Sequence, residues 1–492
     1  MMMTLHEAAA AIAARAQGAD DAFSGVSTDS RSIAAGELFV ALIGDKFDGH
    51  AYVADVLARG ANSAAGAVVS EEFAAAHPDL PLICVADTRL ALGALAAQWR
   101  GRFTIPLLGI TGSNGKTTVK EMCAAILRAQ FGSADSVLAT VGNLNNDIGL
   151  PLTLLRLRAS HRAAVIEMGM NHTGEIDYLT RLAQPSVALV NNAHRAHLEG
   201  LGSVQDVALA KGEIFTGLGA DGVAVFNADD AHADIWRELS RDRRQLTFGL
   251  DQPADVQGQF TSHGLGGELQ LATPWGALTV TLAVPGSHNA SNACAAATAT
   301  LAAGASLGAV EQGLTGFAGI KGRLQRRAGR EGACVVDDSY NANPDSMRAA
   351  IDVLASVPGR RILVMGDMGE AGAAAGQFHD EIGGYAKSHG IDRLLCLGEL
   401  SAAAAHNFGA GGQHFPRVED LIKTLLAELE AQTTVLVKGS RFMRMERVVD
   451  AIVDSADAGP SQGGASHQPE RAQPANSRHP LPGEGGGGKV NE

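Results

Sequence analysis

GITGSNGKTTVKEM, residues 109–122, decides the reading of this chain, because it joins a strand to a helix through a turn suited to phosphate. The apolar run Ile105-Pro106-Leu107-Leu108 before it reads as a buried strand. Beyond it, Val119, Met122, Cys123, Ile126 and Leu127 recur at i, i+3, i+4, i+7 and i+8, the stripe of an amphipathic helix. Gly112 and Gly115 let the backbone come close to phosphate and aim N–H groups at it, and the helix start adds its positive dipole end. Lys116 is placed to reach the outer phosphates of a nucleoside triphosphate, and Thr117 or Thr118 to offer a hydroxyl to Mg²⁺. The common form of such a loop has glycine five residues before Gly115, where this chain has Ile110.

Working outward, residues 105–328 alternate apolar runs at 163–168, 187–191 and 222–227 with helical patterns, which predicts a mainly parallel sheet wrapped by helices. Period-2 runs at 268–271 and 278–284 predict a β-hairpin insertion near 255–285. A fresh series at 334–337, 361–365, 393–397 and 434–438 makes 329–455 a second doubly wound unit. Residues 1–104 carry short β-like runs at 38–42 and 82–85 and no phosphate loop. The expected fold class is α/β, in three domains spanning 1–104, 105–328 and 329–455. Residues 456–492 are poor in apolar side chains and rich in Gly, Pro and Ser, so disorder is expected there.

The formal net charge of −14 argues against a general nucleic-acid binder, so any phosphate must be held by local cations and backbone amides. No apolar run is long enough to cross a bilayer. Residues 1–21 read as a short amphipathic helix without the basic start and apolar stretch of a signal peptide. The five cysteines form no C-x-x-C pair and sit in apolar surroundings, which predicts buried thiols in a reducing cytoplasm.

Several residues at strand ends admit two readings. Glu167 ends an apolar strand and suits either Mg²⁺ or the cap of the next helix. His194 and His197 are three apart, as a metal pair or as packing residues. Lys211 reads on its spacing alone as a solvated helix lysine. Asn289 and Asn292 serve either as a cap or as readers of a base edge. Asp337 and Asp338 suit acid–base work, a ribose or an Asx turn before Asp345. Lys438-Gly439-Ser440-Arg441 suits an anion or a plain loop.

Together these motifs resemble the Mur ligases. TGSNGKTT is similar to that family's own phosphate loop, which accounts for Ile110. GNLNNDIGLPLTLL (142–155), VIEMGMNHTGEI (165–176), NNAHRAHLEGLGS (191–203) and AKGEIF (210–215) match it in order and wording. So do HNASNA (288–293), DDSYNANPDSM (337–347), GDMGE (366–370) and VKGSR (437–441). The resemblance covers about residues 24–453. One departure follows GDM: the family usually runs Glu-Leu-Gly, and here Glu370 is followed by Ala371 and Gly372.

The resemblance implies a UDP-binding N-domain, a central ATPase domain and a Rossmann-like C-domain. It implies that Thr111, Gly112, Ser113, Asn114, Gly115, Lys116, Thr117 and Thr118 hold ATP, with Thr117, Glu167, His197 and Lys211 toward Mg²⁺. Lys211 would be carbamylated, and Lys116, Lys211 and His197 would be catalytic. Asn289 and Asn292 would face adenine, while Arg323 and Asp338 would hold phosphate and ribose. Ser30, Arg31, Asp48, Gly49 and His50 would contact the uridine nucleotide, and Asn143, Asn145, Asn146 and Asp147 the peptide.

The implied partners are UDP-N-acetylmuramoyl-tripeptide and D-alanyl-D-alanine, joined with ATP through an acyl phosphate by a cytoplasmic monomer. Rival readings are the family ligase that adds the third amino acid, a folate polyglutamylating ligase, a P-loop switch and an inactive nucleotide-binding scaffold. The third-residue ligase's Asp-Asn-Pro-Arg signature and a guanine-reading Asn-Lys-x-Asp are both missing from the chain, and Lys116, Thr117, Glu167 and Lys211 are all present.

Overall fold

Three main sheets realise the alternation of apolar runs and helices in the computed structural model, which describes residues 1–195, 198–369 and 372–454. The chain divides into two compact units. One is Met1–Thr104 with Asn146–Leu157, and the other holds Ile105–Asn145 and residues 158–454 among those described.

In the first unit, short strands β1 (Arg15–Gln17), β2 (Val26–Ser27), β3 (Leu38–Val40), β4 (Gly66–Ser70) and β5 (Leu82–Val85) form a sheet in the order β1-β5-β4-β3-β2. Helix α1 (Thr88–Arg100) starts where the Asp87 carboxylate accepts the N–H groups of Arg89 and Leu90. The N-terminal helix is shorter than expected. It covers Leu5–Ala11 only, because Arg15–Gln17 leaves it to pair antiparallel with β5, and the strand's backbone bonds replace further helical turns.

The second unit contains two sheets. The first begins with β6 (Leu107–Thr111), followed by β7 (Val137–Ala139), β8 (Ala163–Glu167), β9 (Val187–Val190), β10 (Val223–Asn227) and β11 (Arg244–Gly249). After them come β12 (Val256–Ser262), β13 (Gly267–Thr273) and β14 (Gly276–Leu282). The order is β7-β8-β6-β9-β10-β11-β12-β13-β14, parallel as far as β12. The expected hairpin is therefore the far edge of this same sheet. Its period-2 pattern buries Leu269, Leu271, Val280 and Leu282 and turns Gln270, Thr279 and Thr281 outward.

Helix α2 (Lys116–Phe131) buries Val119, Met122, Cys123, Ile126 and Leu127 against β6, β8 and the alanine-rich face of a later helix, as the stripe predicts. Strand order reverses on either side of β6, so the crevice beyond the carboxyl ends of β6, β8 and β9 is where an open α/β sheet offers a ligand site.

The other sheet is β15 (Gln325–Ala328), β16 (Cys334–Asp338), β17 (Arg360–Gly366), β18 (Arg393–Leu397), β19 (Gly412–Phe415) and β20 (Thr433–Lys438). It runs β15-β16-β20-β17-β18-β19, all parallel except the β15 edge. Val336 and Leu363 enter one apolar cluster, while Val335, Ile362 and Val364 enter another, so both faces are covered. The doubly wound expectation holds.

Cys84, Cys123, Cys294 and Cys396 are buried and Cys334 is half-buried; burial pushes the Cys294 thiol up to about 12, which suits packing rather than reactivity. Among the described residues, no helix is long and apolar enough to cross a membrane. The expected disordered tail lies outside the described residues.

Candidate active site

The turn after β6 is held open by its neighbours. Helix α2 begins at Lys116 with Gly115 as its cap at φ +79°, and no side chain caps its start, which stands at the carboxyl end of β6. A Cβ at Gly115 would lie 2.4 Å from Asn292 Oδ1 and 2.7 Å from Asn191 Nδ2, so both backbone and space require glycine.

The tandem asparagines after β9 grip the turn. The Asn114 N–H donates to Asn192 Oδ1 (2.9 Å), while Asn191 Nδ2 (3.0 Å) and Asn192 Nδ2 (3.1 Å) donate to the Asn114 carbonyl. Asn191 Nδ2 also donates to Asn292 Oδ1 (2.8 Å). The Ser113 hydroxyl receives the backbone N–H of His194 at 2.9 Å. Lys116 Nζ folds back to the Gly112 carbonyl at 2.7 Å. Among the described residues, Thr111 Oγ1 and Asn191 Oδ1 are buried without a hydrogen-bond partner, leaving unused polar capacity beside a loop suited to phosphate.

Glu167 lies opposite Ile110 in register and is almost wholly buried. Its carboxylate is shared: Thr117 Oγ1 donates to one oxygen (2.9 Å) and Asn145 Nδ2 to the other (2.9 Å). It caps no helix, so the cap alternative falls; helix Glu175–Ala183 starts instead at Gly174. Among the described residues no three His, Cys, Asp or Glu side chains gather as a preformed metal cage. One carboxylate and one hydroxyl beside a phosphate cradle nevertheless fit Mg²⁺, which keeps most of its shell for water and phosphate oxygen. His197 lies outside the described residues, as do Glu370 and Ala371.

Lys211 stands near the end of α3 (Val204–Gly212) and is only 1% exposed, so the solvated-lysine reading is corrected. Burial, and then the charge of Lys116, hold its ammonium well below the usual lysine range. A buried lysine that loses its proton readily is poised for covalent modification at nitrogen.

Asn289 is likewise no cap. Helix α4 (Ser287–Ala302) is capped by Gly286, and Asn289 sits inside it, donating to Pro285 O (2.7 Å) and accepting from Asn292 Nδ2 (3.2 Å). The structure thus brings Asn292 to the phosphate loop, with Asn289 bonded to it one helical turn earlier.

At the carboxyl edge of the second sheet, Asp338 is buried; burial pushes its carboxyl up, against the pull of Lys438, whose ammonium donates to it at 2.7 Å. Arg323 lies over the Tyr340 ring at 4.3 Å. Helix α5 (Pro344–Ala355) is capped by Asn343, whose amide also donates to Asn114 Oδ1 of the phosphate loop (2.7 Å). Arg195 makes a bonded ion pair with Asp345 (2.6 Å). Neither link was evident from the sequence, where this segment offered only acid–base work, a ribose or an Asx turn before Asp345.

The remaining candidates are committed to local partners. Arg31 clasps Asp29 through two nitrogens, at 2.8 and 2.7 Å. His50 donates from Nδ1 to Asp48 (2.6 Å) and accepts the Ser70 N–H at Nε2 (2.9 Å), and the Gly49 N–H donates to Leu42 O (2.8 Å). Ser30 is half-buried on the same segment as Arg31. Asn145 and Asn146, adjacent in sequence, belong to different units. Asn145 bonds Glu167, with Asn143 O accepting its N–H, whereas Asn146 Oδ1 receives the Gly149 N–H (2.8 Å) and Asp147 pairs with Arg89.

This geometry belongs to an ATP-handling α/β ligase, and the comparisons agree. Residues 22–100 match the Mur ligase family, catalytic domain; 110–300 the Mur ligase middle domain; and 322–441 the Mur ligase, glutamate ligase domain. The chain belongs to the Mur ligase family. It is 45% identical over 447 residues to the UDP-N-acetylmuramoyl-tripeptide–D-alanyl-D-alanine ligase of Escherichia coli, covering 89% of this chain and 96% of that one. It superposes on MurF from Acinetobacter baumannii with a TM-score of 0.83 at 35% identity, covering 91% of this chain and 98% of that one. MurF ligase from Thermotoga maritima in complex with ADP gives 0.75 at 26% identity, covering 87% and 96%.

Proposed function

We propose that this chain joins D-alanyl-D-alanine to UDP-N-acetylmuramoyl-tripeptide at the expense of ATP, giving the UDP-pentapeptide for peptidoglycan synthesis in the cytoplasm. The observation that carries this reading is the Thr117–Glu167 pair under an uncapped phosphate-loop helix, with Lys211 buried nearby, in a chain aligned along 96% of a relative with that name. Residues 1–104 serve as the UDP-binding domain, 105–328 as the ATP-binding domain and 329–455 as the C-terminal ligase domain.

The tripeptide carboxylate attacks the γ-phosphate of ATP, giving an acyl phosphate and ADP; the dipeptide amine then attacks that carbonyl and phosphate leaves. Lys116 and the backbone N–H groups at the start of α2 stabilise charge on the phosphates. Thr111, Ser113, Asn114 and Thr118 shape the cradle. Thr117 and Glu167 would hold Mg²⁺, with His197 and Lys211 as further ligands, Lys211 as its carbamate; the cation supplies neutralisation of phosphate charge. Asn289 and Asn292 face the nucleotide base, and Arg323 and Asp338 its phosphate and ribose. Ser30, Arg31, Asp48, Gly49 and His50 bind the uridine nucleotide, and Asn143, Asn145, Asn146 and Asp147 the peptide. The Asn343–Asn114 and Arg195–Asp345 links hold the C-terminal sheet's helix against the loop, which orients the reactants and excludes water.

The test is ADP release with Mg²⁺-ATP, UDP-N-acetylmuramoyl-tripeptide and D-alanyl-D-alanine, each omitted in turn. Dependence on all three, with a UDP-pentapeptide product, is the expected result. Turnover with the dipeptide precursor and a single amino acid would move the assignment to the preceding ligase. Nucleotide binding without acceptor-dependent turnover would leave a scaffold.

A further inference from the structure

Lys120 is a buried charge that the reaction described above does not use. It lies one helical turn beyond Lys116 on α2, and only 1% of it is exposed. Its ammonium donates to the Thr140 carbonyl at 2.7 Å and pairs with Glu121 at 2.7 Å. An apolar side chain of the same length would fill that space without the desolvation cost of an ion, several kcal/mol. What the ammonium adds is a fixed position for Thr140.

Thr140, also 1% exposed, follows β7 and is tied to the candidate metal carboxylate from behind. Its N–H donates to Val165 O (3.1 Å), and its hydroxyl accepts the backbone N–H of Glu167 (3.0 Å). The Glu167 carboxylate in turn receives Thr117 and Asn145. A continuous chain thus runs from the phosphate-loop helix through Lys120 and Thr140 to the backbone of Glu167, and from its carboxylate back to that helix at Thr117. Groups behind a metal ligand set its direction and the affinity of the site.

We propose that Lys120 and Thr140 are positioning residues for Mg²⁺, fixing the Glu167 carboxylate relative to the phosphate loop; this rests on the metal role given to Glu167. The test reads binding rather than turnover. ADP affinity of the full chain is measured across a Mg²⁺ series for the parent, Thr140→Val, Thr140→Ser and Lys120→Met.

In Thr140→Val, the Mg²⁺ concentration for half-maximal tightening of ADP binding rises about tenfold or more. Affinity for ADP without Mg²⁺ stays within about twofold, because the phosphate cradle itself is untouched. Thr140→Ser, which keeps the hydroxyl, restores the parent Mg²⁺ response, and Lys120→Met shifts it in the same direction as Thr140→Val. Unchanged Mg²⁺ midpoints in whichever of the Val and Met variants fold would overturn the proposal. So would equal weakening with and without Mg²⁺, which marks a merely structural role. Because ADP and Mg²⁺ are the only probes, failed ligation with an intact Mg²⁺ shift would sink the ligase assignment and leave this one standing.

Discussion

The crevice beyond β6 and the nucleotide-candidate segments of the N-terminal unit treat their polar side chains in opposite ways. Around the phosphate loop, Asn114, Asn191, Asn192, Asn292 and Asn343 interlock, yet Thr111 Oγ1 and Asn191 Oδ1 are buried unpaired and Lys211 is stripped of water. In the N-terminal unit, Arg31 is paired with Asp29, His50 with Asp48 and Ser70, and Asp147 with Arg89. The first region leaves buried polar capacity unused; the second pairs its polar side chains with one another, so the uridine contacts proposed for it would require an exchange of partners. Buried polar groups left idle cost stability, so the first pattern marks where function outweighs folding.

Breaking the phosphate-loop region should cost most. Lys116→Met removes the cation proposed for the phosphates and should lower kcat/KM for ADP release by about 10³-fold, measured in the coupled ligation assay. Lys211→Met should separate stability from activity. Turnover falls about 10²-fold or more, while the thermal midpoint at pH 7 in CO₂-depleted buffer, where Lys211 is the unmodified amine, rises by a few degrees, because a penalised buried amine is replaced by an apolar side chain. The sign follows from linkage. Lys211 has a folded pKa below its unfolded value of 10.5, so its penalty grows as pH falls from 10.5 to the lowered value and stability rises with pH across that window. The variant's melting curve should lose that slope.

The self-satisfied region should respond more mildly. Arg31→Ala should raise KM for the UDP substrate by about tenfold with kcat little changed, since the guanidinium must leave Asp29 to bind and supplies uniform binding only. A kcat loss of the same size would place Arg31 nearer the chemistry than this contrast allows.

The smallest effect is on stability alone. Burial, then the charge of Lys438, push His288 down to about 4 from its ordinary 6.5. The folded state therefore loses stability as pH falls from 6.5 toward 4. His288→Gln should narrow the drop in thermal midpoint between pH 7 and pH 4.5 by a few degrees.

How legible all this was depends on where each signal resides. The loop, the α2 stripe and the strand series each rest on neighbours within a few residues, and all were realised as expected. Local pattern failed where a partner far along the chain intervened. Arg15–Gln17 left its helix to pair with Leu82–Val85, whereas the hairpin expected near 255–285 formed, at the far edge of the central sheet. Spacing made Lys211 a surface residue and left Asn289 open between a cap and a base reader, because helical periodicity says nothing about what packs over a position.

The sequence by itself determined the α/β class, the phosphate loop, the family and the reagents that family handles, because these are carried by short ordered motifs whose joint order is specific. Only the tertiary structure decided that the tandem asparagines grip the loop, that Glu167 is shared between Thr117 and Asn145, that Lys120 and Thr140 stand behind it, and that Lys211 is dry. Those facts depend on residues brought together across 20 to more than 200 positions of chain, such as Lys120 with Thr140 and Asn114 with Asn343. Burial and hydrogen-bond partnership belong to the packed fold, and no local stretch encodes them alone.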